Sequence, residues 1–83
     1  MMVDVQSPTY ARVGQKVDLV ILSDEKPREV LARHAGGDVP FRVVKGKDGR
    51  RRIRFVMPEA DEVMFRVRGE TDGPRLVRVR LQT

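Results

Sequence analysis

Apolar and polar residues alternate along most of this chain, most regularly in residues 50–57 and 63–69. Because successive side chains of a strand point to opposite faces, each segment predicts a half-buried β-strand with arginines on its outer face. The predicted inward residues include Ile53, Phe55, Met57, Val63, Phe65 and Val67. An acidic corner that begins at Pro58 joins the two strands. This pair of strands indicates an all-β fold.

Further segments complete a pattern of about seven short strands separated by turn signals. The other predicted strands are residues 3–6, 16–23, 27–35, 39–44 and 75–81. Ser7-Pro8 ends the first of them and Pro40 lies near the start of another, which predicts that both are edge strands. Turns are predicted at Gly14-Gln15, Gly36-Gly37-Asp38, residues 45–49, where Asp48 and Gly49 tolerate positive φ, and Gly69–Pro74. Such a succession is typical of a β-sandwich or a small barrel.

Residues 27–35 carry signals for two different structures. Pro27 near a first turn, good helix formers up to Ala35 and a stop at Gly36 are the signals of a short helix. Val30 and Ala32 also alternate with Leu31 and Arg33, as in a strand. We predict a strand, because every other segment is one and so short a helix is marginal in water.

The length of 83 residues predicts one domain over residues 1–83, with a core small enough to be marginally stable. Aromatic residues are only 5% of the chain, so the core must consist mainly of Val, Leu and Ile. The absence of cysteine excludes a disulfide framework and a thiolate enzyme. No stretch is long and apolar enough for a membrane span, so a membrane partner is not expected.

The sequence offers no set of residues typical of an active site, a metal site or a cofactor site. The single histidine, His34, lacks a recognisable nucleophile partner, and we predict that it is a surface residue. Glu59, Asp61 and Glu62 are predicted to form a solvated acidic corner rather than a spaced calcium loop. Gly46-Lys47 lacks the remaining residues of a phosphate-binding loop. We therefore expect no catalysis, no metal and no cofactor.

The arginines are the one group of residues that indicates a binding surface, and positive charge is concentrated in the second half of the chain. Residues 1–41 carry five basic and six acidic side chains, whereas residues 42–83 carry twelve and six. If the last two strands pair as a hairpin, four arginines share their outer face, and these are Arg66, Arg68, Arg78 and Arg80. The preceding strand adds Arg50, Arg52 and Arg54 as further candidate partner-binding residues. Like charges on neighbouring strands repel, so either acidic side chains interleave or an anionic partner covers the face. Solubility and edge protection are the alternative role.

Residues 14–67 resemble a bacterial or phage immunoglobulin-like module. The resemblance rests on a glycine turn that opens a strand, Val13-Gly14-Gln15-Lys16-Val17, and on Phe55-Val56-Met57-Pro58 followed by Asp61 and an alternating strand. Glu62 is an extra residue in this pattern, so we expect a longer or bulged corner. The resemblance implies a single antiparallel β-sandwich that serves as a spacer, decoration or adhesive surface, and it carries no catalytic residue.

Size, charge and this resemblance together favour a non-enzymatic docking module on a larger assembly, such as a virion decoration protein. Its expected partner is the acidic protein surface of a capsid, tail or cell-surface protein, and homo-oligomerisation stays open. The alternative is a small basic β-barrel that binds nucleic acid through its arginines. That alternative needs exposed rings for stacking, and only Tyr10 falls outside the predicted inward positions.

Overall fold

The computed structural model describes residues 3–24, 26–70 and 73–83, and in these ranges the chain forms strands and no helix. Nine strands lie in this part of the chain: β1 (Val5–Gln6), β2 (Tyr10–Ala11), β3 (Lys16–Ile21), β4 (Glu29–His34), β5 (Gly37–Asp38), β6 (Arg42–Lys45), β7 (Arg51–Val56), β8 (Glu62–Arg68) and β9 (Arg75–Leu81). The predicted all-β class is confirmed.

The strands form two sheets. One has four strands in the order β1-β3-β7-β6, and the other has five in the order β2-β9-β8-β4-β5. All neighbours are antiparallel except β2 and β9, which run parallel. The two most regular strands of the sequence, β7 and β8, belong to different sheets, so the corner at residues 57–61 carries the chain from one sheet to the other.

The hydrophobic core lies between the two sheets, as the alternation predicts. Phe55 of β7 and Phe65 of β8 meet across it with ring centroids 4.8 Å apart and planes tilted by 58°. The other fully or almost fully buried residues of the two strands and the corner are Ile53, Met57, Val63 and Val67. No polar or charged side chain is buried among the described residues. Packing of apolar side chains is thus the main force that holds the sheets together.

Within residues 27–35, Glu29–His34 form the strand β4, and the prediction of a strand is confirmed. The segment pairs with β8 from Glu29 opposite Arg68 to Arg33 opposite Met64. This ladder satisfies the backbone polar groups that a short isolated helix would leave partly open, and it buries Ala32 in the core. The predicted turn at residues 36–38 is shorter than expected, because Gly37 and Asp38 already pair with β4 as β5.

The turns predicted at Gly14 and at residues 45–49 each contain a glycine with a positive φ. Gly14 has a φ of 83°, and the Gln15 amide donates to the Arg12 carbonyl at 3.0 Å across a tight turn. In the β6–β7 hairpin, Gly49 has a φ of 81°. Asp48, which also tolerates a positive φ, does not adopt one, and its carboxylate accepts a hydrogen bond from the Arg50 amide at 3.0 Å. Of the predicted turn at Gly69–Pro74, Thr71 and Asp72 lie outside the described residues.

The corner before β8 was expected to be longer or bulged, and the pairing of β8 with β9 shows no bulge. Glu62 begins β8, and each residue from Glu62 to Val67 faces its partner on β9 without a break. The carbonyl of Asp61 accepts a hydrogen bond from the Leu81 amide at 2.9 Å, which ties the corner to the end of β9. The extra residue therefore lengthens the strand.

Candidate functional site

The seven candidate arginines lie on two different faces of the molecule. Arg66 and Arg68 on β8 share the outer face of the five-stranded sheet with Arg78 and Arg80 on β9. The other three belong to the four-stranded sheet, where Arg52 and Arg54 point outward from β7 and Arg50 precedes it. Since the sheets pack through their inner faces, these two outer faces point in opposite directions. The structure does not bring the seven arginines into one site.

On the four-stranded sheet, two of the three candidate arginines are paired with carboxylates of the chain itself. Arg54 donates to both oxygens of Asp18 on β3, at 2.9 and 3.2 Å. Arg52 donates to both oxygens of Asp48 in the β6–β7 hairpin, each at 3.0 Å. Arg50 donates to the Leu22 carbonyl at 3.5 Å. Such two-pronged pairs fix both side chains in place, which leaves these arginines less available to a partner.

The proton equilibria of these pairs follow from the same geometry. The hydrogen bond from Arg54 holds the pKa of Asp18 below its usual value, outweighing the opposing effect of burial. Hydrogen bonds from the Arg52 side chain and from the Arg50 amide hold the pKa of Asp48 well below its usual value. The same hydrogen bonds raise the pKa of the Arg52 and Arg54 guanidinium groups. Both pairs are therefore fully ionised at neutral pH.

On the five-stranded sheet, charged and apolar residues interleave across the strands. Arg66 of β8 lies between Leu31 of β4 and Leu76 of β9. Arg78 lies opposite Met64, and its guanidinium contacts the Glu62 carboxylate at 3.2 Å. The register also places Glu62 opposite Arg80 and Glu29 opposite Arg68. None of the four arginines directly faces another on a neighbouring strand, so the expected repulsion is relieved by this interleaving.

Three of these four arginines have side chains that are available to a binding partner. Arg66, Arg68 and Arg80 are exposed and form no side-chain ion pair or hydrogen bond with any residue in the described ranges. Exposed apolar side chains stand among them: Leu76 is 59% exposed, Tyr10 on the neighbouring strand is 53% exposed, and Leu31 is 44% exposed. We call these six residues the docking face: Tyr10, Leu31, Arg66, Arg68, Leu76 and Arg80.

The apolar members of the docking face were not among the predicted site residues. A signal for Leu76 was present, because Leu76 falls on the outward phase of the alternation in residues 75–81. Leu31 lay in the segment with two possible structures, where its direction depended on the choice of a strand. Tyr10 could not be placed beside Arg80 without the parallel pairing of β2 and β9, which links the two ends of the chain.

The other polar candidates have local structural contacts. His34 is half-buried, and its Nδ1 accepts a hydrogen bond from the Gly36 amide at 3.0 Å in the β4–β5 turn. A shallow cavity lies beside it, lined by the corner residues Glu59, Asp61 and Glu62. Within the described ranges, no group of three or more His, Asp or Glu side chains is placed to hold a metal ion.

Comparison with known proteins gives no relative from which a function can be transferred. No protein-family model, curated protein or solved structure matches this chain. Among the described residues, no helix has the length and apolar character needed to cross a membrane. The function must therefore be inferred from the chemistry of the faces themselves.

Proposed function

We propose that this protein is a non-enzymatic docking module of immunoglobulin-like type that binds an acidic protein surface through its docking face. The observation that carries this proposal is the combination of three exposed arginines lacking carboxylate partners in the described chain with three exposed apolar side chains on one sheet. Arginine and aromatic residues are enriched at protein interfaces, where apolar contacts supply affinity and charges supply orientation.

The strand order supports the immunoglobulin-like assignment. If β1 and β2 are two halves of a first strand A, then β3, β4, β6, β7, β8 and β9 correspond to strands B to G. The two sheets then have the orders ABED and GFC that characterise such sandwiches, with β5 as a short addition beside strand C. The two halves of the split first strand each form one edge of a sheet, and such short edge strands limit edge-to-edge aggregation.

The charge of the docking face selects the class of partner. Arg66 lies between two leucines, where a partner carboxylate would be partly shielded from water and would pair more strongly than at an open surface. A larger assembly with an acidic surface, such as a capsid, a tail or a cell-surface protein, fits this requirement. We place the protein on a virion or a cell surface for this reason and because of its resemblance to modules found there.

Nucleic acid is the competing partner, and the rings of the molecule argue against it. Phe55 and Phe65 are buried and Phe41 is partly buried, so Tyr10 is the only ring that is largely exposed. Binding of single strands without sequence preference typically uses several exposed rings on which bases stack. A binding mode based on phosphate contacts alone would give a steep dependence on salt.

The test compares two triple variants with the same change in net charge. Arg66, Arg68 and Arg80 are replaced by glutamate in one, which leaves the Arg78–Glu62 ion pair intact. In the control, glutamate replaces Lys26, Lys45 and Lys47, which are exposed outside the docking face. We expect the first variant to lose co-sedimentation with its parent particle, most clearly at low salt, while the control retains it. Equal sedimentation of both variants at every salt concentration would refute the docking face. Tight binding of DNA or RNA by the parent chain, lost in the first variant, would instead establish the competing partner.

A further inference from the structure

A second surface, on the four-stranded sheet, is built as a binding notch. It lies where the chain that arrives from β5 meets the end of β7, and its walls include Pro40, Phe41, Arg42, Phe55 and Val56. Lys16 and Arg54 complete its rim. The notch thus combines an apolar floor with three basic side chains, and it lies on the four-stranded sheet, whereas the docking face lies on the five-stranded sheet.

Pro40 is the reason that the notch exists. The β6–β7 ladder begins with Arg42 opposite Arg54, and two residues further along β7 the same register would place Pro40 opposite Val56. Proline has no amide hydrogen and cannot donate to a neighbouring strand, so the ladder stops there. The side chain of Val56 is 54% exposed at this point.

The backbone of Val56 also faces the notch. Within an antiparallel strand, alternate residues direct both backbone groups to the same neighbouring strand. The Arg50 carbonyl accepts from Gly46 on the β6 side, and the Met57 amide donates to Gln15 on the β3 side. Val56 has the parity of Arg50, so its carbonyl is directed towards Pro40, which cannot donate to it. The notch therefore presents a backbone acceptor.

The two arginines at the notch differ in whether a carboxylate of the chain balances their charge. Arg42 and Arg54 lie directly opposite each other on β6 and β7, and Asp18 on the far side of Arg54 engages that guanidinium through two hydrogen bonds. Arg42 is exposed and has no carboxylate partner in the described part of the chain. A carboxylate placed beside Arg42 would relieve the repulsion between the two arginines.

We propose that the notch binds an extended acidic peptide segment of a partner protein. One apolar side chain of the segment packs against Phe41 and Val56, an adjacent carboxylate pairs with Arg42, and a peptide N–H of the segment donates to the Val56 carbonyl. Main-chain hydrogen bonding with a side-chain pocket is a common mode of recognition of extended peptides at sheet edges. The site is distinct from the docking face and does not depend on it.

The experiment titrates the isotope-labelled chain with the acetylated and amidated tripeptide Glu-Leu-Glu and follows backbone amide shifts by NMR. We expect saturable shifts at Phe41, Arg42 and Val56 with a Kd of about 1 mM, as suits so small a probe. The tripeptide Gln-Leu-Gln removes the carboxylate contact and Glu-Gly-Glu removes the apolar contact. Each should bind with a Kd that is higher by a factor of about five or more.

Matched variants locate the site. Arg42→Gln and Val56→Asp change exposed side chains, and each should raise the Kd for Glu-Leu-Glu by a factor of about five or more. Arg66→Gln on the docking face should leave the titration unchanged. The spectrum of each variant without peptide reports whether the fold is retained. The inference is overturned if no shift saturates up to about 10 mM, if the control peptides bind equally well, or if the shifts map to residues around Arg66. Loss of binding to the parent particle by the docking-face variant has no bearing on this titration, so the two proposals fail independently.

Discussion

Replacement of either central phenylalanine should severely destabilise this protein. Phe65 is 0% exposed and Phe55 is 2% exposed, and their rings form the contact between the two sheets. Truncation of a buried Phe to Ala typically costs about 3–5 kcal/mol, through lost burial and the cavity left behind. A chain of 83 residues has a total stability of about 4–12 kcal/mol. Phe65→Ala should therefore consume a large part of the stability and leave a partly or wholly unfolded chain.

The measurement is urea unfolding followed by circular dichroism, since the chain has no tryptophan and its only tyrosine is exposed. With a slope of about 1 kcal/mol per M urea, a cost of 3–5 kcal/mol lowers the midpoint by about 3 M or more. Leu76→Ala, on the exposed face of β9, is the control and should change stability by about 0.5 kcal/mol or less. A Phe65→Ala chain that unfolds within about 0.5 kcal/mol of the parent would refute the assignment of this ring to the core.

A double-mutant cycle separates the ring contact from burial in general. Phe55→Leu and Phe65→Leu retain most of the apolar volume and should leave the chain folded. The tilted arrangement of the two rings at 4.8 Å predicts a coupling free energy of about 0.5–1.5 kcal/mol. Strict additivity of the two substitutions would mean that the sheets pack through these rings without any specific interaction between them.

Three further predictions concern the ion pairs and turns. Because Arg54 lowers the pKa of Asp18 in the fold, the pair stabilises the chain above about pH 4 and loses this effect as the pH falls through the lowered value. Asp18→Asn should thus cost about 0.2–1 kcal/mol at neutral pH, and urea midpoints should show this cost shrinking as the pH is lowered below about 4; a cost independent of pH would contradict the pair. Arg52→Lys should keep the charge but lose the two-pronged contact with Asp48, so NMR should show increased mobility of the β6–β7 hairpin. Gly14→Ala should cost about 1–2 kcal/mol, because φ is 83° there, whereas Gly73→Ala, without a positive φ, should cost much less.

The alternation of side chains was enough to predict which way most strands face. Every apolar inward residue predicted for β7 and β8 is buried, whereas Arg51, which has the same phase at the start of β7, is only half-buried. The same phase holds along β3, where Val17, Leu19 and Ile21 are buried. A period of two leaves only two choices per strand, and apolar content decides between them. Phe41 and Val43 show the limit of this reasoning. Both have the inward phase of β6, yet Phe41 is only partly buried and Val43 is 43% exposed, because β6 lies at the edge of its sheet.

The partition of strands between sheets could not be predicted, and the roles of the arginines depended on it. Asp18 and Arg54 are 36 residues apart in sequence and meet only because β3 pairs with β7. Alternation tells which residues point outward but does not tell which strands are neighbours. Alternation alone therefore groups Arg52 and Arg54 with Arg66 and Arg68 as equivalent candidates. Arg52 and Arg54 are engaged by carboxylates, whereas Arg66 and Arg68 form no ion pair within residues 3–24, 26–70 and 73–83.

This difference between the two outer faces bears on the proposed docking role. On the four-stranded sheet, the pairs Arg54–Asp18 and Arg52–Asp48 tie β7 to β3 and to the β6–β7 hairpin, so arginine contributes there to the rigidity of the fold. On the five-stranded sheet, Arg66 stands between two leucines that do not neutralise it. A surface evolved only for solubility has no need of exposed leucine and tyrosine among its charges, because these residues favour association. Arginine thus stabilises the fold at Arg52 and Arg54 and is left available for binding at Arg66, Arg68 and Arg80. The test is whether charge reversal at Arg66, Arg68 and Arg80 abolishes assembly while leaving the urea midpoint unchanged.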